Sequence, residues 1–299
     1  DLGVRTVFYN YQDYTTAAFE PRLYFTSYLK NNDVFKFGYN RHNQFVGEIN
    51  TGSTGSPDNY WVPATGNILP EKADIFEIGY EKKIGKSYAA NANIYLKSMK
   101  NVSQVSDISD AVDYTLDWQN SLVLGTGNSS GIELMFQKHQ GIFTGWVSYA
   151  YSTSTRQFDD VSEDAFLFTY DRPHMLKVYM NFTDESLPWV VGMNIVVGSG
   201  QLFTLPIGKY RDVAGNTVLE YNSLNNYRSP MYKRVDVSLI RKKDNYGIDQ
   251  EWRFYLYNAL GSINPINVNP DFEDNSYTNL TVSRNYLAFL PGVAYIVKF

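Results

Sequence analysis

Segments in which apolar and polar residues alternate recur along almost the whole chain, and this period of two most constrains its fold. In residues 90–97 the even positions are Ala, Ala, Ile and Leu, while the odd positions carry amides, a phenol and an amine. A β-strand places successive side chains on opposite faces, so each segment predicts a strand with one apolar and one polar face. The signal is weak in one segment and informative when repeated. The predicted strands are residues 2–10, 20–30, 33–42, 73–84, 87–99, 129–138, 142–155, 172–183, 188–202, 228–242, 249–260 and 286–299.

The connections between these strands fall into two length classes. The short connections are residues 30–33, 85–86, 138–141, 183–186 and 244–247, and the long ones are residues 43–72, 100–128, 156–171, 203–227 and 261–285. Outer-membrane β-barrels have short periplasmic turns and long extracellular loops. Counting back from a periplasmic Phe299 places every one of these long connections outside and every short one inside. A soluble β-sandwich gives no reason for such a division.

The composition agrees with strands that cross a membrane. The chain lacks an apolar run of the roughly 18 residues that a transmembrane helix needs. Its 299 residues include 25 Tyr, 18 Phe and 5 Trp, and aromatic rings with a polar edge suit the two membrane interfaces. Backbone amides in lipid must all be paired, so such strands need a closed barrel. The predicted fold class is therefore all-β, a transmembrane antiparallel β-barrel.

The alternation also predicts which side chains share a face. A register slip of one residue would exchange the two faces, so the assignment is strict within each strand. Lipid-facing positions are predicted at Ile132, Leu134, Phe136, Val235, Val237, Leu239, Tyr295 and Val297. Lumen-facing positions are predicted at Asn91, Asn93, Glu133, Gln137 and Asp236. The last strand is expected to end the barrel wall on the aromatic residue Phe299.

Several classes of function find little support in the sequence. The chain has no Cys, which removes disulfides and thiolate metal sites. Its net charge is −5 and its basic residues are scattered, so nucleic acid is not expected as a partner. The three histidines, His42, His139 and His174, do not show metal-ligand spacing, and no serine lies in a nucleophile elbow. We therefore expect neither an enzyme nor a bound metal or cofactor.

The remaining candidates lie at the ends of strands. Asp171, Arg172 and His174 are expected to make ion pairs or hydrogen bonds at the barrel rim. Aromatic and amide side chains that flank the first long connection can stack on a polar ligand and hydrogen-bond to it, and they can equally serve as interfacial and loop packing. The candidate ligand-binding residues are Arg41, His42, Asn43, Gln44, Tyr60 and Trp61.

Ten short stretches resemble the C-terminal barrel half of TonB-dependent receptors, particularly those of the Bacteroidetes type. They are Phe19–Leu23, Gly38–Phe45, Tyr60–Pro63, Asn67–Asp74, Glu77–Glu81, Gly131–Glu133, Tyr170–His174, Tyr227–Asp236, Tyr257–Leu260 and Asn264–Pro265. The terminal strand adds to the resemblance, although Ala294 stands where the general barrel-insertion signal has Gly. Each stretch is a weak match alone, but they occur in order along nearly the whole chain.

The resemblance implies a barrel of about 22 strands that is filled by an N-terminal plug domain. Residues 1–299 would then be a single, incomplete domain: about twelve C-terminal strands, without the plug. The implied function is energy-coupled uptake of a scarce nutrient across the bacterial outer membrane. The implied partners are outer-membrane lipid and lipopolysaccharide, the plug and N-terminal strands of the same receptor, and a periplasmic TonB-type coupling protein. A surface lipoprotein partner stays open, since the branch that uses one is a poorer match.

Two other functions stay open at this point. A self-contained barrel of twelve strands would fit a chain of this length and could act as a passive porin. A structural or adhesion barrel could use its outer loops to bind a partner rather than a solute. The identity of a transported ligand is also open among iron chelates, cobalamin, oligosaccharides and peptides.

Overall fold

The computed structural model describes residues 1–49, 60–106, 118–162, 164–215, 217–245, 248–273, 276–284 and 289–298, and nearly all of its regular structure is β. In chain order, the strands of the first half are β1 Leu2–Tyr11, β2 Tyr14–Tyr28, β3 Val34–Gln44, β4 Val46–Ile49, β5 Tyr60–Pro63, β6 Glu71–Ile84, β7 Tyr88–Val105, β8 Leu122–Lys138, β9 Phe143–Gln157 and β10 Phe166–Leu167. Those of the second half are β11 His174–Thr183, β12 Trp189–Gly198, β13 Leu202–Phe203, β14 Gly208–Arg211, β15 Thr217–Glu220, β16 Tyr227–Arg228, β17 Tyr232–Asn245, β18 Ile248–Tyr257, β19 Pro265–Glu273, β20 Ser276–Arg284 and β21 Leu290–Lys298. Two short 3₁₀ helices, Lys30–Asn32 and Trp118–Ser121, complete the regular structure.

Twelve long strands form one antiparallel sheet in the order β1-β2-β3-β6-β7-β8-β9-β11-β12-β17-β18-β21, and β10 joins it as a thirteenth strand beside β9. Each of the twelve predicted strands corresponds to one of these, so the strand prediction is confirmed. Within the described part of the chain, β1 and β21 stand at opposite ends of the hydrogen-bonded order. Phe299, the predicted end of the last strand, lies outside the described residues. No helix among the described residues has the length and apolarity to cross a membrane.

The strand boundaries depart from the prediction mainly at the outer ends. β7 continues to Val105 and β8 begins at Leu122, so this pair is about one half longer than its alternation predicts. A register shift between Lys100 and Val102 interrupts the pairing, and Asn101 has a positive φ of 58°. Such a bulge reverses the parity of the residues beyond it, which hides the strand from a search for strict alternation.

One outer connection is short rather than long. β1 and β2 are joined by a tight turn at Gln12 and Asp13, with Gln12 at φ 50°. The strand that was predicted to start at residue 20 therefore starts at Tyr14. Three of the other outer connections contain small hairpins among the described residues: β4 with β5, β14 with β15, and β19 with β20.

The register confirms the division of side chains into two faces. Ile132 of β8 pairs with Ile94 of β7 and with Tyr151 of β9, which places an apolar row across three strands. Ile132, Leu134 and Phe136 are 43%, 46% and 46% exposed. The protein itself therefore leaves these three predicted lipid-facing positions uncovered.

The same face continues to the far edge of the sheet. Val237 pairs with Met193 on one side and with Leu256 on the other, and Phe254 pairs with Val293. A water-soluble monomer rarely exposes a contiguous apolar surface of this extent. The opposite face is polar: Glu133 pairs with Asn93, and Asp236 pairs with Asn194.

The buried apolar clusters lie where the long connections fold back over the outer ends of the strands. One cluster contains Ile49, Ile68, Val105 and Leu122. A second contains Met99, Val102 and Phe158. Met99 pairs with Gly127 and Ala73, and its side chain lies on the polar face. The connections that pack on it therefore cover the outer end of the polar face.

The opposite ends of the strands are joined by short turns with specific local bonds. In the turn between β11 and β12, the Asp184 carboxylate accepts hydrogen bonds from the Ser186 amide at 2.9 Å and the Ser186 hydroxyl at 2.7 Å. These bonds stabilise the charged carboxylate and lower the pKa of Asp184 below its ordinary value. In the turn between β2 and β3, Asn31 and Asn32 adopt positive φ values of 68° and 62°, a conformation that Asn tolerates well.

Candidate functional site

Arg41, the first of the predicted ligand-binding residues, lies near the outer end of β3 and is held by Asp74 of β6. Its Nε and Nη2 donate to the two carboxylate oxygens of Asp74 at 2.7 and 3.1 Å. The Tyr39 hydroxyl donates to the same carboxylate at 2.9 Å. By the register, Arg41 and Asp74 share the face of Tyr39 and Phe76. The pair therefore lies on the outward face, at the boundary where apolar side chains give way to polar ones.

The next three predicted residues divide between the two faces. The Asn43 backbone amide donates at 2.8 Å to Glu20, a buried carboxylate that also pairs with Arg5 at 2.7 Å. His42 is exposed and pairs with Ala73 on the polar face. Gln44 is exposed and donates from its side chain to the Val46 carbonyl at 2.8 Å.

The aromatic members of the predicted set belong to the hairpin of β4 and β5. Trp61 pairs with Glu48 across this hairpin and is 64% exposed. Tyr60 pairs with Ile49 through its backbone, and its side chain is outside the described residues. The structure thus places the six residues around one corner of the outer rim, where β3 leads into β4, with Arg41 and His42 on opposite faces of the sheet.

The three rim residues predicted to make polar contacts do so. Asp171 forms an ion pair with Arg228 at 2.6 Å, and its other oxygen accepts from the Ser154 amide at 2.7 Å. Arg172 donates to the Gln201 side chain at 3.4 Å. His174 Nδ1 shares a hydrogen bond of 2.8 Å with the Tyr149 hydroxyl. These contacts confirm the prediction and tie β9, β11 and the following connections together.

The polar face carries paired charges along its strands. Lys36 pairs with Glu81 at 3.2 Å and Arg234 with Asp236 at 3.0 Å. Arg253 pairs with Glu251 close by. Among the described residues, no group of three or more His, Asp or Glu side chains is placed to hold a metal ion. This face therefore offers a charged and hydrogen-bonding surface to whatever fills the lumen.

One concave site on this side is not among the sites predicted from the sequence. Four outer connections enclose a cavity of about 90 Å³ that is lined by Arg156 and a group of aromatic rings. The sequence does contain a pattern that could have indicated this site. Aromatic residues stand at every second position, at Phe166, Phe168 and Tyr170, in the connection that follows Arg156. In the adjoining connection, burial raises the pKa of the Tyr221 phenol.

A large antiparallel meander with an uncovered apolar face and a charged inner face defines the wall of an outer-membrane β-barrel. The family model described as TonB dependent receptor-like, beta-barrel, matches residues 1–259. The chain belongs to this family, and its location is the bacterial outer membrane. The family is one of receptor and transporter barrels rather than of enzymes. A comparison with curated protein sequences finds no match.

Among solved structures, the chain is similar to the outer membrane transporter YddB from Escherichia coli, with a TM-score of 0.57 and 12% sequence identity. The similarity covers 95% of this chain and 41% of the transporter chain. The chain thus spans less than half the length of the structure it matches. At this identity the likeness shows the barrel fold.

Proposed function

We propose that this chain forms part of the wall of a TonB-dependent receptor that takes up a scarce nutrient through the outer membrane. The observation that carries the proposal is the two-faced sheet of a chain in the receptor-barrel family. Uncovered apolar side chains suit lipid on one face, and paired charges suit a filled, hydrated lumen on the other. The transport step needs no covalent chemistry from these residues.

The whole receptor in this proposal contains more than these strands. Residues 1–299 act as the C-terminal portion of a barrel of about 22 strands, together with N-terminal strands and a plug domain. The open ends of the sheet at β1 and β21 support this arrangement, because a self-contained barrel of twelve strands would pair them. A periplasmic TonB-type protein then supplies the energy by acting on the plug. We propose a receptor of the Bacteroidetes type, and a surface lipoprotein fits the scheme as an optional outer partner.

The ligand in this proposal is an iron chelate, cobalamin, an oligosaccharide or a peptide. Arg41, His42, Asn43, Gln44, Tyr60 and Trp61 are proposed to contact it. Exposure of His42, Gln44 and Trp61 at the outer rim supports a contact role for these three. Arg41 also forms an ion pair with Asp74 on the outward face, which holds the end of β3 in place.

On the outward face, side-chain polarity increases toward the outer ends of the strands. The row with Ile94 and Ile132 is apolar, and the row with Ser98 and Asn128 is polar. The next row toward the outer end pairs Lys72 with Lys100. Lysines beyond a belt of polar side chains suit the phosphate groups of the outer leaflet. We propose that outer-membrane lipid covers the apolar rows and that lipopolysaccharide meets the lysine row.

Energy coupling is the property that tests the proposal. Cells that carry the full receptor are incubated with a ligand that the purified receptor binds, and ligand accumulation is measured with and without an uncoupler. We expect accumulation to stop when the proton gradient is removed while surface binding persists. Undiminished accumulation would favour a passive porin, and binding without accumulation in energised cells would favour an adhesion or structural barrel.

A further inference from the structure

A cavity at the outer end of the polar face combines one arginine with four aromatic rings. Arg156, at the end of β9, lines it together with Phe158, Phe166, Phe168 and Tyr170. Phe158 is 2% exposed and packs against Phe166, so the floor of the cavity is fixed. With a volume of about 90 Å³ it holds several water molecules. It therefore suits an end group of a ligand rather than a whole nutrient.

The guanidinium of Arg156 has two close neighbours. Its central carbon lies over the Phe168 ring, 3.9 Å from the ring centre. Gly127, the cross-strand partner of Arg156, also lies close to it: an added Cβ at Gly127 would come within 2.7 Å of Nη1. Any side chain at position 127 would therefore displace the guanidinium. Stacking of this kind fixes the plane of the group and leaves its edges free to donate.

One edge of this guanidinium is used and the other is open. Nη1 donates to the Ser154 hydroxyl at 3.3 Å and to the Thr155 carbonyl at 3.0 Å. Nε and Nη2 donate to no residue in the part of the chain that the structure describes. These two groups form one of the parallel pairs of N–H donors that bind a carboxylate through two hydrogen bonds. An arginine held in place with this edge unpaired is prepared for an anionic partner.

One carboxylate that interacts with Arg156 has other bonds. Glu71 interacts electrostatically with Arg156, but its carboxylate accepts hydrogen bonds from the Ser103 amide and hydroxyl. The ion pairs of the described residues do not include one between Glu71 and Arg156. Glu48 is a second carboxylate at the cavity, among its lining residues. This balance suits a group with a single negative charge better than a densely charged phosphate.

We infer that this cavity is a subsite for a carboxylate carried on a flat apolar group, with the carboxylate on Nε and Nη2 of Arg156 and the flat group beside Phe168 and Tyr170. The inference deepens the proposed function, on which it rests, by naming a chemical group of the ligand. In this inference, residues of the 156–171 connection recognise the carboxylate of the ligand, and the residues around Trp61 in the β4–β5 hairpin do not.

The test uses the purified full-length receptor in detergent, with benzoate as the probe. Binding is measured by saturation-transfer NMR and by titration calorimetry. We expect benzoate to bind and benzamide, which keeps the ring but lacks the charge, to bind about tenfold more weakly. The Arg156→Gln variant should weaken benzoate binding by a similar factor, and Arg156→Lys should retain only part of it because an ammonium lacks the flat edge.

Two further variants make the result specific. Phe168→Leu keeps apolar volume but removes the stacked ring, and it should weaken benzoate binding several-fold. Arg172→Gln removes an arginine of the same rim that lies outside the cavity lining, and it should leave binding unchanged. Heat-modifiable mobility in gels verifies that each variant has a folded barrel.

The inference is overturned if the folded wild-type receptor does not bind benzoate, or if Arg156→Gln binds it as well as the wild type. Equal affinity for phenyl phosphate would overturn the choice of a carboxylate. The measurement needs no proton gradient and no transport, so its outcome is separate from the uncoupler test. A receptor that fails energised uptake but loses benzoate binding with Arg156→Gln would keep the subsite and lose the proposed function.

Discussion

Arg228 holds Asp171 through both its carboxylate and its backbone carbonyl, although 57 positions separate the two residues. Nη1 donates to the Asp171 carbonyl at 2.6 Å and to the Gly200 carbonyl at 3.1 Å, and Nη2 donates to the carboxylate at 2.6 Å. The Asp171 side chain is 1% exposed. A single arginine thus joins the connection before β11 to the one that precedes β17.

Loss of this arginine should loosen the outer connections without unfolding the sheet. Arg228→Gln leaves the Asp171 carboxylate buried with one fewer partner, which costs about 3 kcal/mol, the low end of the range for such pairs, since Arg228 is partly exposed. We expect faster chymotrypsin cleavage near the exposed Tyr170 while heat-modifiable mobility is kept. Arg172→Gln, which loses only a bond of 3.4 Å, is the matched control. Equal cleavage rates in the two variants would contradict this role for Arg228.

A charge on the apolar face should be costly, and the same charge on the polar face should not. Val237 lies in the middle of β17 between Met193 and Leu256. Val237→Arg should lower the free energy of unfolding by roughly 2–4 kcal/mol near the bilayer midplane. Asn91→Arg, on the polar face and exposed, should change it little. Urea titrations in lipid vesicles measure both, and equal losses would contradict the assignment of faces.

Spin labels give a second readout of the faces. A label at Ile132 should be quenched by a lipid-soluble reagent, whereas a label at the neighbouring Glu133 should respond to a water-soluble one, because their side chains point to opposite sides of the sheet. Both positions are exposed, so neither label disturbs packing. The same accessibility at the two positions would show that β8 does not separate lipid from lumen.

Gly200 should tolerate no side chain. A Cβ at this position would lie 1.7 Å from the Ser229 carbonyl oxygen, a distance that forces the two backbones apart. Gly200→Ala should therefore disrupt the bond from Arg228 to the Gly200 carbonyl and reproduce the protease sensitivity of Arg228→Gln. Gly66→Ala, where the nearest atom would be 4.0 Å away, is the control. Unchanged cleavage in Gly200→Ala would indicate that the close contact between the Gly200 and Ser229 backbones is not needed to hold the outer connections.

The turn at Asp184 should weaken in acid. Its folded pKa is lowered, so the bonds to Ser186 contribute stability above the ordinary aspartate value of 3.8 and lose it as the pH falls through the folded pKa. We expect hydrogen-exchange protection of the Ser186 amide to fall over that acidic window. Asp184→Asn keeps an acceptor but removes the titration, so its protection should not vary over the same window. The same pH dependence in both forms would exclude the Asp184 carboxylate as its source.

The sequence alone predicts the strands and the face on which each side chain lies, because both are local properties. Alternation at Ile132, Glu133 and Leu134 is read within one strand, and the pleat converts it directly into two faces. It was insufficient where the period breaks. The bulge at Asn101 shifts the parity of β7, so strict alternation does not predict the outer end of this strand.

The outer rim was decided by the tertiary structure. Residue types predicted polar contacts for Asp171 and His174, but the partners Arg228 and Tyr149 follow only from how the connections cross the ends of the strands. Likewise, the stack of Arg156 on Phe168 joins the end of β9 to the connection that follows it, and this contact depends on how that connection folds back. Strand faces depend on neighbours along the chain, whereas contacts between long connections depend on the path of the whole chain, which no local pattern of residues encodes.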